Sequence, residues 1–435
     1  MESNEKIVAI GEKVAVVGLG YVGLPLALEF AKKYEVIGFD INSHRIEELK
    51  SGIDRNREVH ADDLIDATKI EQHLSGLSLT DNPELLRDCT VFIITVPTPT
   101  DDNNEPDLSI LFQASLLVGK LLKKGDLVIY ESTVYPGITE NENAPILAKL
   151  SRLLFNTDFF CGYSPERINP GDKENTISNI VKITSGSTPE AAKRVDDLYR
   201  SIIAAGTYLA PSIKVAEAAK LMENAQRDIN IAFMNEAAKI FNLLDIDTKE
   251  VLDAARTKWN FLKFSPGLVG GHCIGSAPNY LAHRAMEAGY TPEIMLAGRK
   301  MNDGMGSYVA AQAVKLMLNK QITVNGSRVL ILGFTFKENC SDVRNTRVMD
   351  IVKELSSYQL HLDVYDPWAD PAAVKSEYGF GMLEEVYGVN NYDAVILAVA
   401  HEEFRNLDIQ SLLKEKSVVY DVKSFLPKNL VDGRL

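Results

Sequence analysis

Short, unbroken apolar runs recur along this chain and are separated by helix-like stretches. Val14-Ala15-Val16-Val17 is a run of this kind. Its β-branched residues without polar interruption describe a strand buried on both faces of a parallel sheet. A glycine-rich turn follows, then a helical pattern from Leu24 to Lys33, then a second strand, Glu35-Val36-Ile37-Gly38-Phe39, that ends at Asp40. Thr90 to Val96 and Leu127 to Tyr130 repeat the strand pattern around a helical stretch from Leu108 to Leu122. From Ser212 to Leu244 there is neither glycine nor proline and alanine is frequent, so a single helix opened by Pro211 is predicted. At the standard rise it is about 50 Å long, more than a crossover needs. Strand patterns resume at Arg328 to Gly333, Leu362 to Tyr365, Tyr392 to Val399 and Ser417 to Asp421, with a helix from Val348 to Leu355. Strand and helix in alternation predict an α/β chain with parallel sheets. The expectation is two Rossmann-like doubly wound lobes joined by a long central helix, with a helical dimerisation region. The lobes are expected at 1–205 and 311–435, and the helical domain at 206–310.

Composition narrows the partners. With 435 residues, 46% apolar and 24% charged, the chain has the make-up of an ordinary globular protein of two or three domains. A net charge of −14 argues against nucleic acid and against an anionic membrane. It leaves room for an anionic substrate held by a few local lysines and arginines. Cys89, Cys161, Cys273 and Cys340 are scattered, without disulfide-framework density. A reducing, cytoplasmic setting is therefore expected. No two histidines stand at ligand spacing, so no metal site is expected. The first residues, Met1 to Lys6, lack the features of a signal peptide, and no apolar run is long enough to span a bilayer.

Chemistry enters at the turns. Gly18-Leu19-Gly20-Tyr21-Val22-Gly23 lies between a strand and a helix, and Asp40 closes the next strand. The first glycine makes the tight turn, the second admits a pyrophosphate to the helix N-terminus, and the third lets helix and strand pack closely. Asp40 would bond a ribose hydroxyl and repel a 2′-phosphate, favouring NAD over NADP. Tyr21, Val22 and Arg45 complete this cofactor-binding set. Thr98 and Thr133 follow strands whose carboxyl ends face the ligand side of such sheets, although loop-capping hydroxyls look the same in sequence. Glu166 and Arg167 put a carboxylate and a guanidinium on a stiff loop. Lys220 and Asn224 share a helix face because they are four residues apart. Phe264 to Gly275 carries Gly267, Gly270, Gly271 and Cys273. That thiol is a covalent nucleophile, a metal ligand, or a small buried apolar residue. The first turn of the C-terminal lobe has no glycine triplet, which predicts no second dinucleotide there. Its Lys337 and Arg344 suit a nucleotide diphosphate.

With these blocks in order, the chain resembles the UDP-glucose/GDP-mannose 6-dehydrogenase family along nearly its full length. The motifs that carry the resemblance are Val17 to Pro25, Glu131-Ser132-Thr133-Val134-Tyr135-Pro136-Gly137 and Tyr163-Ser164-Pro165-Glu166-Arg167. Lys220 to Asn224, Gly270-Gly271-His272-Cys273, and Phe336-Lys337 with Asp342 to Thr346 add to them. The tract Thr257 to Phe261 and His272 incline the resemblance to the branch acting on UDP-N-acetylhexosamines.

The resemblance implies that a sugar C6 alcohol is oxidised twice, with NAD, to a uronic acid for a surface polysaccharide. It gives Lys220, with Asn224 beside it, the hydroxyl proton, and it gives Cys273 the aldehyde, held as thiohemiacetal and then thioester. Glu166 and Thr133 would assist hydrolysis. Arg167, Phe264, Gly267, Gly270, Gly271, Phe336 and Lys337 would join Glu166, Lys220 and Asn224 around the UDP-sugar. Arg344 is expected at diphosphate and cofactor, and a homodimer is expected through the central helix. One departure stands out. The family's aspartate four residues after the cysteine is Ala277 here, and an aromatic is replaced by Asn279. Two rivals follow: an NAD- and UDP-sugar-binding homologue with little turnover, and a dehydrogenase for UDP-glucose, GDP-mannose or a β-hydroxyacid.

Overall fold

A computed structural model describes residues 12–56, 58–69, 75–101, 104–168, 176–386 and 390–435, with the side chains of residues 272 and 273 outside the description. The chain divides into two compact units, Met1–Glu223 and Asn224–Leu435.

The first unit begins with β1 (Lys13–Val17), α1 (Gly23–Ala31) and β2 (Glu35–Phe39), then α2 (Ser43–Lys50), α3 (Ala61–Thr68) and β3 (Gly76–Thr80). It continues with β4 (Val91–Ile94), α4 (Ser109–Gly119), β5 (Leu127–Tyr130), α5 (Ala144–Ser151) and β6 (Phe160–Tyr163). These strands form one parallel sheet in the order β3-β2-β1-β4-β5-β6, the doubly wound order of dinucleotide-binding folds. The order reverses between β1 and β4, so Gly18 and Thr95 emerge side by side at the switch point. Val14, Val16, Phe30, Val36, Ile93 and Ile129 fill the core beneath them. After β6 the chain adds β7 (Lys182–Thr184), α6 (Pro189–Arg200) and β8 (Thr207–Leu209), with β7 and β8 paired in a small parallel sheet of their own.

Helix α7 (Ile213–Leu243) carries the boundary between the units. The second unit continues with α8 (Thr248–Ala255), α9 (His272–Glu287), α10 (Glu293–Asp303) and α11 (Met305–Asn319). It then builds β9 (Arg328–Leu332), α12 (Val348–Ser357), β10 (His361–Tyr365), α13 (Pro371–Tyr378), β11 (Tyr392–Leu397), α14 (Ile409–Leu412), β12 (Leu413–Asp421) and β13 (Gly433–Arg434). The parallel order β10-β9-β11-β12-β13 is the other common doubly wound order. Side chains alternate across each strand. Val329 and Ile331 accordingly join one core cluster while Leu330 and Leu332 join another, so both faces of this sheet are covered.

Element limits differ from the sequence reading where hydrogen bonding decides them. The strand expected from Thr90 to Val96 stops at Ile94, where pairing with Val17 ends. Thr95 then spends its hydroxyl on the Gly18 carbonyl, at 2.7 Å. The strand expected from Ser417 starts at Leu413, and a register shift separates Tyr392↔Leu413 from Ala394↔Val418. Among the described residues no helix is long and apolar enough to cross a membrane.

Candidate active site

The glycine turn of the first unit is shaped for a dinucleotide. Gly18 has φ +97°, a backbone region that favours glycine. A Cβ at Gly23 would lie 1.8 Å from the Gly18 carbonyl oxygen, so no larger residue lets α1 pack this close. A Cβ at Gly20 would meet nothing within 4 Å, which leaves open space beside the turn. Val22 is the N-cap of α1 and Tyr21 lies half-buried before it. The Asp40 carboxylate accepts the backbone amides of Leu19 and Asn42, each at 2.9 Å, and so fixes the loop from the end of β2. Arg45 braces the same loop. It donates to the Leu19 carbonyl at 3.1 Å and pairs with Asp54 at 2.7 Å. Close packing, open space and a terminal aspartate together fit an NAD pyrophosphate and ribose.

The turns after β4 and β5 meet. Thr98 donates to the Thr133 carbonyl at 2.7 Å, and Ser132 donates to the Val96 carbonyl at 2.6 Å. Behind them lies a buried charged group that the sequence reading did not assemble. Lys182 Nζ is 2.7 Å from a Glu131 oxygen and 3.0 Å from a Glu166 oxygen. The second Glu131 oxygen accepts the Tyr199 hydroxyl. Glu166 also accepts the amides of Arg167 and Ile168, both at 2.6 Å, and its backbone carbonyl accepts Lys220 Nζ. Arg167 itself pairs with Glu223 at 2.8 Å and donates to the Val181 carbonyl at 2.7 Å.

Burial and partners set opposite trends in the two carboxyls. Burial pushes Glu131 up to about 7; Lys182 opposes this, Glu166 adds to it, and the hydrogen bonds from Lys182 and Tyr199 oppose it. Burial would also raise Glu166, but the Lys182 charge and hydrogen bond, the Ile168 amide and the Lys220 charge together carry it below the ordinary range. Burial depresses Lys182, and the two carboxylates more than restore it, leaving it raised. A lysine at the start of a three-residue strand carries no pattern in sequence, which is why Lys182 was missed.

In the second unit, two loops predicted to hold substrate lie together. Gly271 donates to the Asn345 carbonyl at 3.1 Å, and Asn345 donates through its side chain to the Gly271 carbonyl at 3.0 Å. A Cβ on Gly270 would sit 2.6 Å from the Asn345 oxygen, and one on Gly271 would sit 2.8 Å from the Phe336 ring. Gly267 is gripped by Asn235 of α7, at 2.8 Å through its amide and 3.0 Å through its carbonyl. The half-buried Phe264 accepts Arg256 on its carbonyl at 3.2 Å. Lys337 lies 5.6 Å from the centre of the Phe336 ring, and Arg344 pairs with Asp342 at 2.7 Å. Asn224 is buried on α7 with Nδ2 unpartnered. Ala277 is fully buried inside α9. The side chain of the expected nucleophile, Cys273, lies outside the described residues, as does that of His272. Among the described residues no cluster could hold a metal ion.

A doubly wound lobe with an NAD-type glycine turn, a long helix and a second doubly wound lobe are the architecture of a nucleotide-sugar dehydrogenase. Residues 12–203 match the UDP-glucose/GDP-mannose dehydrogenase family's NAD binding domain, 214–304 its central domain and 330–428 its UDP binding domain. The chain belongs to this family, and its cofactor is NAD. It is 58% identical to a UDP-N-acetyl-D-glucosamine 6-dehydrogenase of Pseudomonas aeruginosa, over 97% of this chain and 99% of that protein. It is 55% identical to the protein of the same name from Salmonella typhi, over 97% and 98%. Among solved structures it resembles a UDP-D-ManNAc dehydrogenase from Pyrococcus horikoshii, with a TM-score of 0.87 and 29% identity over 97% of this chain and 98% of that one.

Proposed function

We infer that this chain carries out the NAD-dependent, four-electron oxidation of the C6 hydroxyl of a UDP-N-acetylhexosamine to the uronic acid, for surface polysaccharide synthesis. The observation that carries the reading is end-to-end similarity, 58% over 97% of the chain, to a protein named for that activity on UDP-N-acetyl-D-glucosamine. UDP-N-acetylglucosamine is accordingly the first substrate to test. NAD, when bound, supplies the hydride acceptor for both oxidations.

The chain's own residues supply the rest. Lys220, with Asn224 one turn further along α7, draws the proton from the C6 hydroxyl. The Cys273 thiolate bonds to the aldehyde carbon and holds it through the second oxidation as a thioester. Water then adds at that carbon and gives its proton to Glu166, Thr133 orients the water or the oxyanion, and the C–S bond breaks to return the Cys273 thiolate and release the carboxylic acid. Because Ala277 offers no carboxylate, Glu166 is the base on which this step depends. Lys337 and Arg344 hold the diphosphate, and Arg344 is assigned to the cofactor as well. Arg167, Phe264, Gly267, Gly270, Gly271 and Phe336 enclose sugar and uridine.

We place domains at 1–205, 206–310 and 311–435; that each of the three family matches, 12–203, 214–304 and 330–428, falls inside one of them supports the division, while the two compact units part at Glu223 and Asn224, within the central domain. A homodimer through α7 is supported by exposed Phe233 and Ile240, two turns apart on one stripe, with exposed Leu243 at the end of the helix and Leu244 just beyond it. Buried free thiols at Cys89 and Cys161 support a reducing, cytoplasmic setting.

The test is NADH release at saturating NAD with UDP-N-acetylglucosamine and UDP-N-acetylgalactosamine separately, beside the intact mass of the protein. Sustained turnover at two NADH per uronic acid is expected. A burst that stops, with a sugar adduct on Cys273, would place the block at thioester hydrolysis and tie it to Ala277. Silence with both sugars despite measurable binding would favour the low-turnover homologue.

A further inference from the structure

The buried group around Lys182 is costly. Glu131 and Lys182 are each 3% exposed and Glu166 is 7% exposed. Two carboxylates and one ammonium out of water commonly stabilise a fold no better than apolar residues of the same volume. The arrangement is also highly specific. Lys182 projects from the first residue of β7, Glu131 follows the last residue of β5, and Tyr199 comes from α6. We propose that Lys182 and Glu131 are positioning residues for the reaction: Lys182 fixes the Glu166 carboxylate, and Glu131, itself held by Tyr199, fixes Lys182. The proposal rests on the part given to Glu166 under the proposed function.

The hydrogen-bond count shows how it acts. One Glu166 oxygen is taken by two backbone amides, and the other by Lys182. The carboxylate therefore cannot rotate, and only its Lys182-bound oxygen keeps a lone pair for a water. Its charge state depends on how the ammonium is shared. When Glu131 is charged, Lys182 serves two anions; when Glu131 is protonated, Lys182 serves Glu166 alone. Among the described residues, the other ionisable groups about this cluster are Tyr199 from α6, Tyr163 from β6 and Lys220 from α7, with Glu217 and Glu223 of α7 acting on Tyr163 and Arg167 paired with Glu223. The tendency of burial to protonate Glu131 near neutrality agrees with this sharing. Taking Lys182 away removes the cation that favours ionised Glu166, so the Glu166 titration must move to higher pH.

The experiment uses the full chain with four variants: Glu131→Gln, Glu131→Ala, the double variant Lys182→Met/Glu131→Gln, and that double variant with Glu166→Gln added. The double variant removes one charge of each sign and leaves Glu166 with its two backbone amides and the Lys220 charge. Its kcat at neutral pH is expected to fall about 10- to 100-fold. The acid limb of its kcat–pH profile should shift upward by about one unit or more relative to Glu131→Gln alone. Affinities for NAD and UDP-N-acetylglucosamine, measured by calorimetry, should change less than about threefold. Glu131→Ala, which leaves Lys182 held by Glu166 alone, should lose about tenfold in kcat, whereas Glu131→Gln, whose amide oxygen can still accept from Lys182 while its N–H donates to the Tyr199 oxygen, should lose less than Glu131→Ala. Infrared spectroscopy reads the same site without turnover. The double variant should show a protonated-carboxyl band that persists to higher pH than in Glu131→Gln and disappears when Glu166→Gln is added. An unmoved acid limb in folded protein, or losses in kcat, affinity and melting temperature that run together at every pH, would overturn the proposal. If wild type released no NADH, the reading of function would fail on its own, and the infrared band would still decide the network: its absence overturns it.

Discussion

Asp40 and Asp366 follow the second strand of their respective sheets, and each accepts backbone amides from the turn after the first strand. Asp40 takes Leu19 at 2.9 Å; Asp366 takes Phe334 at 2.6 Å and Thr335 at 2.9 Å. Asp366 goes further and packs against fully buried His401 at 2.9 Å. The His401 Nδ1 accepts the Asn339 amide at 3.0 Å, so its Nε2 carries the proton and donates to Asp366. A sequence shows that both positions are acidic after a strand, but not that the second one is sealed by a histidine 35 residues away. Burial alone would raise Asp366; its bonds to His401, Phe334 and Thr335 take it down to about 2. A depressed acid stabilises the fold above its unfolded value of 3.8 and loses that contribution as pH falls through its folded value. Between those values wild type should therefore lose roughly 2 kcal/mol more than Asp366→Asn. Melting curves from pH about 5 down to about 2 read the difference; parallel curves would refute it.

Elements were legible where they are long or strongly patterned. Helix α7 matches its expected span to within one residue at each end, because a run without glycine or proline admits little else. The helix expected from Leu108 to Leu122 ends at Gly119, a short and plausible error. What the pattern could not show is the use of α7 as a clamp. Asn235 grips Gly267 on both backbone groups and passes its amide to Asn302 of α10 at 2.8 Å, while Asn302 and Arg299 bind buried Asp228, at 2.7 and 2.6 Å. Asparagine in mid-helix reads as a weak helix former, and only packing reveals its partners. Asn235→Ala leaves the Gly267 amide and carbonyl buried without partners, at a cost of about 1–3 kcal/mol. The expected outcome is a lower melting temperature with weaker UDP-sugar binding and unchanged NAD binding, read by scanning calorimetry and titration. Equal weakening of both ligands would refute the clamp.

At the scale of the molecule, the proposed dimer makes a direct prediction. Phe233 is 62% and Ile240 49% exposed on one stripe of α7, with Leu243 80% exposed at its end, and proteins seldom leave such a stripe bare. Phe233→Glu with Leu243→Glu should convert a dimer to a monomer in light scattering behind size exclusion; an unchanged mass would refute the stripe as the interface. The sequence by itself determined the α/β class, the glycine turn, the length of α7 and the family. These depend on local periodicity and on residue types such as glycine whose backbone role is fixed wherever they occur. The sheet orders, the Glu131–Lys182–Glu166 group and the Asp366–His401 pair were decided only in three dimensions. Each brings together residues tens of positions apart, and whether a buried charge is tolerated depends on partners that no local window contains.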